Sequence, residues 1–280
     1  MSSFALYFPG ATTTTSSLAG ALSKPSTVRL TVPSPGLFLL TFTGGETPDN
    51  RLTAHFLSAF LEALEYVQAK WEAISDGNVE GADVAKGAAL VTTGQTEAGS
   101  KFFSNGLDLE AAIADPEFFD KYLNPVYAKL MRFPIPTVAS LGGHAFAAGF
   151  GLAMAHDYRV MSGRRGFLCM NEIHFGAQIP AGLLAALQSK IPSAKTIRKV
   201  VLEGHRFDGK EALALSLVDH LAPAPAPDPA ADKSDGGGAA KTLEAAVRLA
   251  ASVRKLASKD AWGSNKDVLY APYLAILRAV

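Results

Sequence analysis

Thr137-Val-Ala-Ser-Leu-Gly-Gly-His-Ala-Phe-Ala-Ala-Gly-Phe-Gly-Leu-Ala-Met-Ala-His-Asp-Tyr-Arg-Val-Met161 decides the fold class. Thr137–Leu141 is a short buried-strand pattern, and Gly142-Gly143 punctuates it. Ala145–His156 has the small apolar residues of a buried helix, and Asp157–Met161 returns to strand composition. Strand, helix and strand in about 25 residues is the signature of a parallel crossover, and so of an α/β chain.

The same alternation extends outward. Upstream, Val28–Thr43 reads as two β segments around Pro33-Ser-Pro-Gly36, with Thr27 opening the first. Leu52–Trp71 carries Phe56, Phe60, Leu61, Leu64 and Val67 at helical spacing. Ser75–Lys86 is polar loop, Gly87–Thr93 a buried strand, and Leu109–Ala114 and Glu117–Phe133 are helices. Downstream, Gly166–Met170 reads as a strand, and Leu183–Lys190, Ser193–Gly204 and Gly209–Leu215 as helices. Lys241–Ser258 and Asp267–Arg278 add two more, a helical appendage and not a second domain. The residues show no internal repeat. The organisation is a flexible extension over 1–26, a core over 27–221, a low-complexity insertion over 222–239 and a C-terminal helical region over 240–280. The Ala, Pro, Asp and Gly of the insertion cannot bury enough apolar surface to order it.

Composition narrows the function. The 280 residues are 48 % hydrophobic and 19 % charged, which suits a globular core. Lys plus Arg equals Asp plus Glu at 26 each, so bulk charge does not point to a nucleic-acid backbone. A single cysteine, Cys169, excludes a disulfide scaffold and a cysteine-rich zinc site. No stretch approaches the roughly 18 apolar residues of a membrane span. The acid-poor, Ser/Thr-rich N-terminus has one Arg before residue 50, Arg29, so it lacks the Arg of a transit peptide, and Leu277-Arg-Ala-Val280 is not an S-K-L tail. The G-x-S-x-G elbow, Walker A loop, HExxH and G-x-G-x-x-G spacings are missing.

Three stretches offer chemistry. Phe102-Phe-Ser-Asn-Gly-Leu-Asp-Leu109 leads from a strand into a helix, where unpaired N–H groups can cradle an oxyanion, although ordinary turns look the same. Gly142–Leu152 makes a second such turn, with small residues that admit a ligand or another backbone; His144 there reads as a packed or capping histidine. Cys169-Met-Asn-Glu-Ile-His-Phe-Gly-Ala-Gln-Ile-Pro180 sets Glu172 among apolar residues. Burial would raise its pKa toward that of a base useful near neutrality, while a Glu reaching solvent or pairing with a cation is the alternative. In an extended segment Glu172 and His174 would share a face.

In this order, the stretches resemble the enoyl-CoA hydratase/isomerase (crotonase) superfamily over roughly Val28–Leu221. Phe103-Ser-Asn-Gly-Leu-Asp-Leu109, Pro136–Ala145, Ala153-Met-Ala-His-Asp-Tyr-Arg-Val160 and Asn171-Glu172 with Phe175–Pro180 each resemble a family motif. Ser104–Asp108, His156-Asp-Tyr158 and Met170-Asn-Glu172 are most similar to plant-type peroxisomal Δ3,Δ2-enoyl-CoA isomerases. The resemblance implies a crotonase-like spiral of ββα turns with a C-terminal helical region, an acyl-CoA thioester substrate and no separate cofactor or metal. It also implies homotrimers or dimers of trimers. A peroxisome is favoured by resemblance alone, with mitochondrion and cytosol left open.

The resemblance further implies an oxyanion hole from the main-chain N–H groups of Leu107 and Ala148, substrate contacts at Ser104, Asn105, Gly106 and Gly149, and Glu172 as the base. His174 and Lys266 are further candidates. Arg51 and Lys259 join Lys266 as candidates for the CoA phosphates, and Glu110 or Asp108 for a supplementary acid, although Asp108 reads better as a cap and Asp157 as a structural acceptor. The first of the two hydratase glutamates falls at Gly151 and is missing. One base with an oxyanion hole suffices to move a double bond, whereas hydration must also deliver water. The expectation is isomerisation of 3-enoyl-CoA to trans-2-enoyl-CoA, as in fatty-acid β-oxidation. The alternatives are a hydratase, dehydratase or lyase using Glu172 with His174, and a non-catalytic acyl-CoA or protein-binding scaffold.

Overall fold

The computed structural model describes residues 5–8, 27–77, 86–97, 100–223, 238–259 and 261–278. Its strands are β1 (Ala5–Phe8), β2 (Val28–Ser34), β3 (Leu37–Phe42), β4 (Ala89–Thr93), β5 (Phe102–Ser104), β6 (Thr137–Leu141), β7 (His144–Phe146), β8 (Tyr158–Ser162), β9 (Leu168–Cys169) and β10 (His220–Ala222). Its α-helices are α1 (Ala54–Ser75), α2 (Leu109–Ala114), α3 (Asn124–Met131), α4 (Ala148–Ala155), α5 (Ala181–Gln188), α6 (Ala194–Val201), α7 (Gly209–Ala214), α8 (Ala239–Val253), α9 (Ala261–Leu269) and α10 (Ala271–Arg278).

Seven strands form one sheet in the order β1-β2-β3-β4-β6-β8-β10, and β5-β7-β9 form a second. The β1–β2 and β2–β3 pairs are antiparallel, and every pair from β3 to β10 is parallel. A unit therefore recurs that the side chains do not advertise. β4-β5-α2, β6-β7-α4 and β8-β9-α5 each send a first strand to the large sheet, a second to the small sheet and then a helix.

The second strands are two or three residues long, too short to show a period in sequence. This is why the helix expected from Ala145 begins instead at Ala148. His144 N–H donates to the Lys101 carbonyl (2.8 Å) and Ala145 N–H to that of Phe167 (3.0 Å), which draws 144–146 into the small sheet.

β4 and β6 are buried along their whole length, and β8 in all but its first residue. Such strands need cover on both faces. On one face they meet the main core, which includes Phe42, Phe60, Trp71, Tyr127 and Phe150. On the other, Val91, Val138 and Val160 pack against Ala246 and Ala250 of α8. The small side chains at this four-residue spacing bring the helix close to the sheet. α8 is thus a layer of the core, contrary to the expected appendage. α9 and α10 lie on the opposite side, where α10 packs on α3 and α5.

The outer segments also depart from expectation. Residues 5–8 of the 1–26 extension form a strand on β2, with Phe8 buried and its ring 5.8 Å from that of Tyr66. At the 222–239 insertion, Ala222 ends β10 and Ala239 opens α8, both buried; residues 224–237 lie outside the described residues. Among the described residues, no helix is long and apolar enough to cross a membrane.

Candidate active site

The first turn of the site follows β5. A loop from the start of α1 holds it. Ser104 Oγ donates to the Asn50 carbonyl (2.8 Å), Asn105 N–H to the Asp49 carbonyl (3.0 Å), Asn105 Nδ2 to Asp49 Oδ2 (2.8 Å) and Leu52 N–H to the Gly106 carbonyl (2.8 Å). Asn50 Nδ2 also donates to the Phe103 carbonyl (3.1 Å). Gly106 has φ +84°, and a Cβ there would stand 2.7 Å from Ala147 Cβ, so only glycine fits. Asp108 caps α2 by accepting from Ala111 N–H, as expected. The Leu107 N–H has no acceptor among the described residues.

The second turn follows β7. Ala147 N–H donates to the Cys169 carbonyl (2.8 Å), and Ala147 then takes φ +51° and ψ −128° before α4 begins at Ala148. A non-glycine residue in such a region costs on the order of 1–3 kcal/mol and persists where its surroundings over-determine it. Ala148 N–H, at the first position of α4, has no acceptor among the described residues. The two turns abut: a Cβ on Gly106 would lie 3.3 Å from Ala148 N. Two free N–H groups, on Leu107 and Ala148, thus arise from adjoining turns, an arrangement suited to a developing oxyanion.

Glu172 opens a 3-10 turn, Glu172–Phe175, after β9. The residue is 7 % exposed, and its Oε2 has no hydrogen-bond partner among the described residues. Burial pushes its carboxyl up to about 7, against a small opposing effect from its own N–H. Its charge is felt at Tyr127, whose phenol is held well above its ordinary pKa, first by burial and then by Glu172. Tyr127 Oη donates to the Ala148 carbonyl (2.7 Å). A Cβ on Gly151 would stand 2.7 Å from Tyr127 Oη and collide with Leu183 Cδ1. The position where a second carboxylate would start is filled by a tyrosine and a leucine.

Several candidates take other roles. Ser104 is fully buried with its hydroxyl bonded to Asn50, and a Cβ on Gly149 would lie 2.9 Å from Ser104 Oγ. These two residues pack the turns together. Asn105 likewise commits its side-chain amide to Asp49. The 3-10 turn removes the shared face expected for Glu172 and His174, and the His174 ring bonds the Gly204 carbonyl (3.1 Å).

Lys266 is buried, with Nζ 2.8 Å from Asp157 Oδ1 and 2.9 Å from the Leu130 carbonyl, so it is a structural cation and not a phosphate contact. Burial works to raise the Asp157 carboxyl, but Lys266, Lys190 and the Thr137 N–H outweigh it and hold it below the ordinary range. Arg51 pairs with Asp49 (3.2 Å), and Lys259 is exposed. His144 is half-buried and stacked on Phe167, with its pKa lowered first by burial and then by Arg165. Among the described residues, no three His, Cys, Asp or Glu side chains gather as metal ligands would.

Sequence reasoning missed Tyr127 and Ala147. A tyrosine at a core position of a helix carries no mark of its partner, and nothing in Ala147-Ala148 announces a positive φ.

Comparison with known proteins agrees with this architecture. The pattern of the enoyl-CoA hydratase/isomerase family matches residues 83–227. Enoyl-CoA delta isomerase 3 of Arabidopsis thaliana is 37 % identical over 193 residues, covering 66 % of this chain and 73 % of that protein. The peroxisomal enoyl-CoA delta isomerase 2 of the same plant is 33 % identical over 255 residues, covering 86 % and 91 %. The solved structure of an enoyl-CoA hydratase from Mycobacterium ulcerans superposes with a TM-score of 0.69 at 21 % identity, over 91 % of this chain and 96 % of that one. That likeness shows the crotonase fold, the ββα units included. With the family pattern spanning both turns and Glu172, the chain belongs to the enoyl-CoA hydratase/isomerase family, on the side of the plant delta isomerases.

Proposed function

We propose that the protein isomerises 3-enoyl-CoA to trans-2-enoyl-CoA, as in fatty-acid β-oxidation, with Glu172 as its single base and the Leu107 and Ala148 N–H groups as its oxyanion hole. The observation that carries this reading is a buried carboxylate with one oxygen unpartnered among the described residues, together with a Gly151 position already filled by Tyr127 and Leu183.

In this mechanism the thioester oxygen sits between the two N–H donors. Glu172 removes a proton from C2, which the thioester and the C3–C4 alkene both acidify. The electron pair spreads over C2, C3, C4 and the oxygen as a dienolate, and the donors stabilise its negative charge. The same carboxylic acid then returns the proton to C4, leaving the double bond between C2 and C3. No atom is gained or lost, and no water is needed. A carboxyl with its pKa near 7 suits both halves, being basic enough to take the proton and acidic enough to return it. The similarity to the Arabidopsis delta isomerases supports this reading.

The test is incubation of the purified protein with a 3-enoyl-CoA and, separately, with a trans-2-enoyl-CoA. The conjugated product should accumulate from the first, and the second should stay unchanged. Rapid formation of 3-hydroxyacyl-CoA would replace this reading with a hydratase.

A further inference from the structure

We infer that Tyr127 is a positioning residue of the oxyanion hole: its hydroxyl holds the strained Ala147–Ala148 turn so that the Ala148 N–H stays aimed at the substrate oxygen. The inference deepens the isomerase reading and rests on it for the identity of the bound oxygen.

Ala147 cannot hold φ +51° by its own preference. On one side its N–H is fixed to the Cys169 carbonyl at 2.8 Å through the small sheet. On the other side, the Ala148 carbonyl lies in the first turn of a helix. Its acceptance of the Tyr127 hydroxyl at 2.7 Å comes from outside that helix, from α3. The strained residue is therefore held by its own N–H and by its carbonyl, which accepts from the Phe150 and Gly151 N–H groups (2.9 and 3.2 Å), and the residue that follows it, Ala148, is held from outside the helix by a single side-chain hydroxyl. Tyr127 is fully buried, so its phenol cannot exchange this bond for one to water. Its neutral form is favoured by burial and by Glu172, which keeps it a donor. The same hydroxyl is the Tyr127 atom nearest Gly151, so it fills that space and holds the turn at once.

Tyr127→Phe keeps the ring and removes the tie. Three readouts separate positioning from a structural role. The kcat on 3-enoyl-CoA should fall about tenfold, the worth of one hydrogen bond expressed in the transition state, with KM within about twofold of wild type. Bound acetoacetyl-CoA, which can enolise in the site, should show a smaller enolate fraction in its near-ultraviolet absorbance than it does on wild type. Ala147→Gly, which accepts the positive φ without strain, should shrink the effect, so that Tyr127→Phe costs less in that background. That double variant also serves if the single one folds poorly.

Unchanged kcat, or a fall in kcat with an unchanged enolate fraction, would overturn the inference. So would an equal loss from Tyr127→Phe with and without Ala147→Gly. A wild type that does not convert 3-enoyl-CoA would overturn the isomerase reading instead, and the acetoacetyl-CoA comparison would still decide the role of Tyr127.

Discussion

Replacing Glu172 by Gln should make the protein less active and more stable, and the second effect should depend on pH. In the fold the carboxyl is 7 % exposed with one oxygen unpaired, and its pKa stands at about 7 against an ordinary 4.5. A folded-state pKa above the unfolded value means that the fold favours the protonated form. The associated stability is fully present below about pH 4.5 and is lost as pH rises through 7. By linkage the loss amounts to about 3 kcal/mol once both states are ionised. Glutamine has nearly the shape of the neutral acid and cannot ionise. Thermal melts of wild type and Glu172→Gln should differ little near pH 5, and the variant should melt several degrees higher at pH 8 to 8.5, because 1 kcal/mol is worth roughly 2–4 °C in a chain of this size. The change in the difference between the two pH values is the measured quantity, so any constant effect of the amide cancels. Turnover should fall by about 10²-fold or more. Wild-type kcat/KM should rise with pH through about 7 as Glu172 becomes a base. A gap in melting temperature that does not widen with pH would refute the desolvation argument. Near-normal turnover in the folded variant would remove Glu172 from the mechanism.

Gly151→Glu should not create a hydratase: its side chain would have to displace Tyr127 Oη and Leu183, and overfilling by even a few atoms costs about 1–3 kcal/mol, so a lowered melting temperature without 3-hydroxyacyl-CoA formation is expected. Lys266→Met leaves Asp157 buried without its closest cation and should cost about 3–5 kcal/mol in denaturant titrations, with part recovered by adding Asp157→Asn. His156 is fully buried, its ring nitrogens bonded to the Leu152 carbonyl and Thr92 Oγ1, and burial pulls its pKa down to about 4. Its neutral form therefore contributes stability that is present above about pH 6.5 and lost as pH falls toward 4, roughly 3 kcal/mol in all. Denaturant titrations from pH 7.5 to 4.5 should show a shallower decline in His156→Gln than in wild type.

What the sequence reveals depends on the length over which a signal is written. The long parallel strands and α1 are legible because apolar residues repeat over several positions, as in Phe56, Phe60, Leu64 and Val67. β5, β7 and β9 are not legible, since a two- or three-residue strand has no period and is set by tertiary pairing. The site shows the same division. Glu172 stands out because a carboxylate among apolar residues breaks a pattern, whereas the turn at Gly106 stands out only through its resemblance to a family motif. The packing of Ser104 on Gly149, the Asp157–Lys266 pair and the Tyr127 bond to Ala148 join residues 45, 109 and 21 positions apart. No local pattern encodes them. Lys266 reads as a free cation in sequence because its partner is absent from its own helix.

The three irregularities of the site share one physical logic. Glu172 is buried with one oxygen unpartnered, Ala147 is strained, and the Leu107 and Ala148 N–H groups go without acceptors, all among the described residues. Each is unfavourable alone. They persist because the surroundings are over-determined: Asn50 and Asp49 bind the first turn, Cys169 and Tyr127 the second, and α3 and α5 press on the site from behind with α10 packed against both. The Asp157–Lys266 pair ties α9 to the start of β8 and thereby helps seat α10. The C-terminal helices thus bear on the candidate site through α3 and α5. They pack against the helices that carry Tyr127 and Leu183, whose side chains occupy the space a side chain at position 151 would need. If the protein is the proposed isomerase, packing around Gly151 disfavours hydration as much as the single acid–base group at Glu172 does.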